Sequence, residues 1–260
     1  MIMKELIDSS IAKLNLGIVC PMANEADLAM TFVKKTLGQC EGFASVTFFA
    51  VIDCASTDDT LDILLILAES ESRLNVVWAP ENRCVVDAYV RGYKEAIYAG
   101  CDWILEIDAG FSHQPSDIQK FFPKMLQGFD CVFGSRFCQG GSIKNSPLSR
   151  RLISRGGTII TNLLLGTKLT DMTSGFQMFT QQSLKYILSQ GIKSRYHFFQ
   201  TEIKFHCRQL KIAEAPIHYQ AASPSVHRAA IHDAFKNLGR LFLERQFKGA
   251  KKLKIQSNNN

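Results

Sequence analysis

The stretch WILEIDAGFSHQP, Trp103 to Pro115, decides how the rest of the chain is read. An apolar run with strand character stops on a carboxylate, Asp108, and small or polar residues follow before His113 and Pro115. A buried strand that ends on a charge either caps a turn or presents that charge to a ligand. In open sheets of alternating strands and helices, ligands bind outside the carboxyl ends of the strands. The neighbouring segments decide whether Asp108 stands at such an end.

Comparable runs occur at LNLGIVC (14–20), SVTFFAVID (45–53), NVVWA (75–79), DWILEID (102–108) and DCVFGS (130–135). Between the first four lie ADLAMTFVKKTL (26–37), DDTLDILLILAES (58–70) and VVDAYVRGYKEAIYAG (85–100), each long enough for a crossover helix. This alternation predicts an α/β fold with a mostly parallel central sheet flanked by helices. SDIQKFFPKMLQG (116–128) predicts a helix capped by Ser116 and ending at Gly128, kinked or shortened by Pro123. After Gly140 the pattern changes. SPLSRRLISRGGTIITNLLLG (146–166) reads as a basic helix, SRYHFFQTEIKFHCRQ (194–209) as helical, IAEAPIHY (212–219) as a strand and HDAFKNLGRLFLERQFKGAKKLK (232–254) as a last basic helix. A soft boundary is expected near 138–146 inside one domain of residues 1–248, whose halves cover about 14–137 and 138–248. Residues 249–260 read as a basic, polar tail.

With 260 residues, 46% of them hydrophobic, the chain can bury a substantial core. No apolar run approaches the ~18–20 residues of a membrane span, and the first residues lack the order of a signal peptide. The eight cysteines form no C-x-x-C pair and mostly sit in apolar runs, as reduced thiols of a cytoplasmic protein do. Charge divides the chain. Residues 1–130 hold 10 Lys+Arg against 19 Asp+Glu, and residues 131–260 hold 20 against 5. The acidic half suits a metal or ribose hydroxyls, and the basic half suits phosphates or an anionic membrane. Two solvated faces of opposite sign are the plain alternative. The first strand is followed by PMANEADL, without the glycines of a dinucleotide-binding turn, and no P-loop is present.

The order of motifs resembles the family 2 inverting glycosyltransferases, whose GT-A fold binds nucleotide sugars. PMANEAD is similar to the family's P-x-x-N-E opening, IDCASTDDT to its D-D-G-S-T-D-x-T turn, and IDAGFSHQP stands where the D-x-D metal motif falls. VFGSRFCQGG, SPLSRRLIS, TDMTSGFQMF, FFQTE and AEAPIHY follow in the order seen in dolichol- or polyprenyl-phosphate sugar synthases such as mannosyl- and glucosyltransferases. The resemblance implies a nucleotide-sugar site of Pro21, Ala23, Asn24, Glu25, Asp53, Asn82, Asp108 and Ala109, and a divalent metal, Mg²⁺ or Mn²⁺, at Asp108. From the residues alone, Asp53 can accept hydrogen bonds from a base or ribose, or form a turn or N-cap. Glu25 either caps the first helix or touches the nucleotide.

The motifs also depart from the family. Its second Asp is Gly110 here, so the metal site is weakened, and restoring Asp is expected to tighten it. Glu106, two residues before Asp108 on one strand face, is the expected compensating metal ligand, or else pairs with a basic neighbour. Cys54 replaces a carboxylate, and NRCVVDA (82–88) replaces a glycine- and lysine-rich loop.

In the basic half the resemblance implies that Arg136, Arg150 and Ser154 bind an acceptor phosphate; an exposed basic helix face is the alternative. Arg151 and Arg155 lie beside them. Asp171 is either a base or a loop-capping residue, and Glu202 is expected to pair with an Arg. The catalytic set is thus Asp108, Arg136, Arg150 and Asp171. The expected activity is hexose transfer from a GDP- or UDP-sugar to a polyprenyl or dolichyl phosphate. The alternatives are transfer to a sugar hydroxyl of a glycan with Asp171 as base, or a catalytically weak sugar-nucleotide-binding subunit. Expected partners are the donor, the lipid-phosphate or glycan acceptor and an anionic membrane surface reached peripherally by the last helix, with no nucleic acid.

Overall fold

A computed structural model describes residues 7, 9–146, 148–220 and 228–257, the side chains of 149, 150 and 248–257 aside. The strands are β1 (Asn15–Pro21), β2 (Ser45–Ile52), β3 (Leu74–Trp78), β4 (Trp103–Glu106), β5 (Cys131–Ser135), β6 (Ser142–Lys144), β7 (Gln177–Thr180), β8 (Ile212–Pro216) and β9 (His218–Gln220). The α-helices are α1 (Ala29–Gly38), α2 (Thr60–Ser70), α3 (Val85–Tyr98), α4 (Phe122–Leu126), α5 (Leu148–Leu165), α6 (Gln181–Gln190), α7 (Phe199–His206) and α8 (Arg228–Ser257).

Seven strands form one sheet in the order β3-β2-β1-β4-β7-β5-β8. β7 runs antiparallel to both β4 and β5, and the other pairings are parallel. Parallel strands covered on both faces need apolar side chains on both. Along β1 and β2, Ile18, Cys20, Phe48, Ala50 and Ile52 join one core layer, while Val19, Phe49 and Val51 join the other. Helix α3 lies close on the second layer because Gly92 has no side chain. A Cβ there would stand 2.4 Å from Val19 Cγ1.

The segment predicted as one helix over 116–128 is two pieces, a 3₁₀ turn Pro115–Lys120 and then α4. Pro123 sits in the first turn of α4, where its missing N–H costs nothing, and Ser116 caps no helix. IAEAPIHY likewise divides: β8 pairs with β5 in the main sheet, and β9 pairs with β6 in a two-stranded sheet. Helix α8 packs one face on the domain, with Leu241 buried beside Leu165, Met172 and Phe205. Arg245 of α8 donates to the carbonyls of Leu163 and Leu164 at 3.1 and 2.9 Å, closing the C-terminal end of α5.

Candidate active site

The ends of β1, β2 and β4 and the first turn of α3 enclose a cleft of about 370 Å³. Pro21, Ala23, Glu25, Asp53, Asn82, Asp108 and Ala109, each expected from sequence, all line it. Asn24 does not. Its side chain instead clips two strand-end loops together, donating to Ala55 O at 3.1 Å and accepting from Thr57 N at 2.9 Å. Its φ of 58° lies in the left-handed region that Asn tolerates. Asp53 accepts from the Ala55 amide at 2.9 Å and so builds a turn within the cleft wall. The start of α2 falls to Asp58, which accepts from Thr60 Oγ1 at 2.6 Å and Ala26 N at 3.0 Å.

Asp108 follows β4 with its side chain 41% exposed, and the Tyr89 hydroxyl donates to it. Glu106 receives Tyr93 in the same way. The pairing follows from geometry. Residues two apart on a strand and four apart on a helix recur at nearly the same spacing, so Asp108 and Glu106 meet successive turns of α3. The two carboxylates differ in surroundings. Glu106 is fully buried and bonded by Tyr93, Gln177 and Gln200. Burial pushes its carboxyl up to about 8 despite those donors. It is therefore enclosed beneath the cleft and is absent from its lining, which corrects the expectation of Glu106 as the compensating ligand.

His113 Nδ1 stands 3.4 Å from both the Asp108 amide and Asp108 Oδ2. Its ring lies between Phe176 and Tyr219, and burial lowers its pKa, leaving a neutral hydrogen-bonding imidazole. Burial, with Asp58 adding to it, raises the Glu25 carboxyl. Among the described residues no group of three or more His, Cys, Asp or Glu is arranged to hold a metal.

Further along the same carboxyl edge of the sheet, Arg136 follows β5 and forms a fork with Asp171, Nε and Nη2 lying 2.7 and 2.8 Å from its oxygens. Asp171 is fully buried and also accepts from Thr173 N at 3.1 Å. Burial opposes its charge, yet the Arg136 hydrogen bonds outweigh it and hold the pKa below the usual value. The Asp171 oxygens are thus engaged by Arg136 and the Thr173 turn. Glu214 on β8 anchors the same loop through Thr170 N at 2.9 Å.

Arg136 also lies 5.3 Å from the rings of Tyr219 and Phe137, and Arg155 stands 5.4 Å from the Phe137 ring. Arg155, which the sequence offers with Arg150 and Arg151 as one of the cations of this helix, thereby shares the Phe137 ring with Arg136. Arg151 is structural, donating to Ile143 O at 2.7 Å. Ser154 is half-buried on α5. Arg150 lies on the same helix, with its side chain outside the described residues, as is the segment after Gln220. Glu202 does pair with an arginine, Arg240 of α8.

Sequence reasoning missed Tyr89, Tyr93 and Lys204. Tyrosines on an amphipathic helix read as core. Lys204 is buried, donates to Ser174 O at 2.6 Å, and is pulled down to about 8 by burial. Its only signal was a lysine amid apolar residues of FFQTEIKF.

A family model described as "Glycosyl transferase family 2" matches residues 18–188. The undecaprenyl-phosphate mannosyltransferase of Micrococcus luteus is 30% identical over 204 residues, 76% of this chain and 81% of that protein. The polyprenol monophosphomannose synthase of Mycolicibacterium smegmatis is 25% identical over 204 residues, 77% of this chain and 75% of that one. Among solved structures, glucosyl-3-phosphoglycerate synthase from Mycobacterium tuberculosis with Mn²⁺, UDP and glucosyl-3-phosphoglycerate superposes with a TM-score of 0.64. It is 14% identical, and the match covers 92% of this chain and 82% of that one. The same enzyme with Mg²⁺ and UDP gives 0.65 at 15% identity, over 94% and 83% of the two chains. Those likenesses establish the GT-A fold. The family match over most of the chain and the 30% identical relative establish the rest: the chain belongs to glycosyl transferase family 2 and is a glycosyltransferase.

Proposed function

We propose that the protein transfers a hexose, with inversion, from a UDP- or GDP-linked donor in the strand-end cleft to a polyprenyl phosphate held on the Arg136 side. The relatives named for undecaprenyl-phosphate and polyprenol acceptors support this reading. The observation that carries it is the Arg136–Asp171 fork. A sugar hydroxyl needs a carboxylate to take its proton, and the expected base is locked on an arginine. A phosphate is already ionised and needs cations, which Arg136 and Arg155, both beside the Phe137 ring, supply.

In this scheme a phosphate oxygen forms the bond to the anomeric carbon as the bond to the nucleoside diphosphate breaks on the opposite face. The pair of electrons leaves with the diphosphate. Asp53, Asn82 and Ala109 line the space for the donor, and Tyr89 orients Asp108. A divalent cation, present as Mn²⁺ or Mg²⁺ in the similar solved structures, would be held at Asp108 and neutralise the leaving diphosphate. Asp108 is exposed to the cleft and offers oxygen ligands, which fits such an ion.

The outward faces of α5 and α8 support contact with an anionic bilayer. Leu152, Ile153, Ile159 and Leu163 on α5 are exposed, as are Ile231, Phe235, Leu243 and Phe247 at four-residue intervals or multiples of it on α8. Their helices are rich in Lys and Arg. No helix among the described residues is long and apolar enough to cross a membrane. The test is a matrix of radiolabelled UDP- and GDP-hexoses against short polyprenyl phosphate and free glycan acceptors. Label should enter the lipid. Label entering only the glycan would contradict the proposal.

A further inference from the structure

The family position of the second metal-binding carboxylate is Gly110, yet the space beside it is filled. Gly110 has a φ of 74°, and a Cβ placed on it would stand 3.1 Å from both Glu25 carboxylate oxygens. The place that a side chain at 110 would occupy therefore already holds a carboxylate, delivered from the end of β1. We propose that Glu25 takes over from the missing residue and shares the divalent cation with Asp108. This rests on the reading of the cleft as a nucleotide-sugar site.

Two further observations agree. Glu25 and Asp108 both line the cleft, whereas Glu106 does not. No described residue donates a hydrogen bond to the Glu25 carboxylate, and its part in the fold is played by its backbone. That N–H donates to Thr60 Oγ1 at 2.8 Å, and its carbonyl accepts from Leu28 and Ala29. A half-buried carboxylate without a donor is a group a cation would satisfy. Two carboxylates, diphosphate oxygens and waters form the oxygen set that small divalent ions take.

The proposal reverses the expectation that Asp at position 110 would tighten the site. A side chain there would adopt a backbone conformation that L residues rarely take, and its charge would meet Glu25 directly. The experiment titrates Mn²⁺ into the full chain with saturating UDP, and separately GDP, read by the Mn²⁺ paramagnetic resonance signal. Nucleotide affinity in EDTA is measured alongside. Glu25→Gln keeps the side-chain shape and the backbone contacts. It and Asp108→Asn should each weaken Mn²⁺ binding at least ~10-fold, the lower range for losing even a partner of a metal ligand. Affinity in EDTA should stay unchanged, and Gly110→Asp should bind Mn²⁺ no better than the parent.

If Asp108→Asn loses Mn²⁺ while Glu25→Gln keeps it, the inference is overturned and the reading of the cleft stands. If neither loses it, the metal reading of the cleft falls as well. A Glu25→Gln protein that loses nucleotide equally in EDTA assigns Glu25 to the nucleotide and overturns the proposal. Tighter Mn²⁺ binding by Gly110→Asp does the same.

Discussion

In and around the strand-end cleft polar side chains are held in place by hydrogen bonds: Asp53 by Ala55, Asp58 by Thr60 and Ala26, Asn24 by Thr57, and Asp108 by Tyr89. Across the molecule, α5 and α8 leave large apolar side chains uncovered, with Leu163 77% and Phe235 71% exposed. The first region is built for a small polar ligand, whose few contacts repay orientation only when the donors and acceptors are fixed beforehand. Under the proposed function the second meets a partner that is itself apolar and extended, where area matters more than direction.

The comparison breaks most sharply at Asp108. Asp108→Asn should lower transfer by ~100–1000-fold, the scale for removing one group that stabilises developing charge. Folding should be intact, since the side chain is partly exposed. Melting curves and single-turnover transfer check this, and near-normal turnover would make Asp108 structural.

The clasp between Glu202 and Arg240 holds α8 on the domain and sets the next effect. Burial opposes the Glu202 charge, but the Lys193 and Ser194 amides that donate to it, with Arg240 and the nearby His206, hold its pKa at about 2, below the usual 4.5. A depressed carboxylate contributes stability that is present above the unfolded value and lost as pH falls from about 4.5 towards about 2. The contribution is on the order of 3 kcal/mol. Glu202→Gln should therefore be less stable at neutral pH and show a flatter decline across that window. Parallel melting-temperature profiles for the two proteins would contradict the clasp.

The smallest effect is expected at Tyr89, whose hydroxyl orients Asp108 without touching the acceptor side. Tyr89→Phe should cost about 0.5–1.5 kcal/mol, the net worth of one hydrogen bond. The loss should appear in metal-dependent donor affinity and leave acceptor use unchanged. An equal loss in both would mean that α3 itself has shifted.

Much of the cleft was legible in sequence because β1, β2 and β4 are short apolar runs whose polar residues begin at their carboxyl ends. The antiparallel β7 was not, since Gln177–Thr180 is four residues long and opens on a polar side chain that turns inward to Glu106 and Gln200. Helix α6 escaped for a related reason. Its start is marked only by Thr180, which accepts from Ser183 N at 3.1 Å, behind a polar QQS. Glu106 and Asp108 share a strand face as expected, but alternation does not say where the sheet's cover ends. Glu106 is covered completely, whereas Asp108, though reached by Tyr89 of α3, stays 41% exposed. The exposed faces of α5 and α8 were half legible. Their apolar spacing predicted amphipathic helices, and only the packing of α8 through Leu241 shows which residues remain outside.

The central claim is that the cleft handles the donor and the Arg136 side handles a lipid phosphate. It is tested most directly by measuring acceptor kinetics with short polyprenyl phosphate and donor affinity separately in Arg136→Ala and Arg136→Lys. Both should keep donor affinity. Arg136→Ala should lose about 1.5–3 kcal/mol in acceptor kcat/KM, the scale of a charge-assisted hydrogen bond. Lys should restore only part, because a point charge lacks the fork that grips Asp171. Unchanged acceptor kinetics in Arg136→Ala, with transfer abolished in Asp171→Asn, would contradict the account and point to a hydroxyl acceptor with Asp171 as its base.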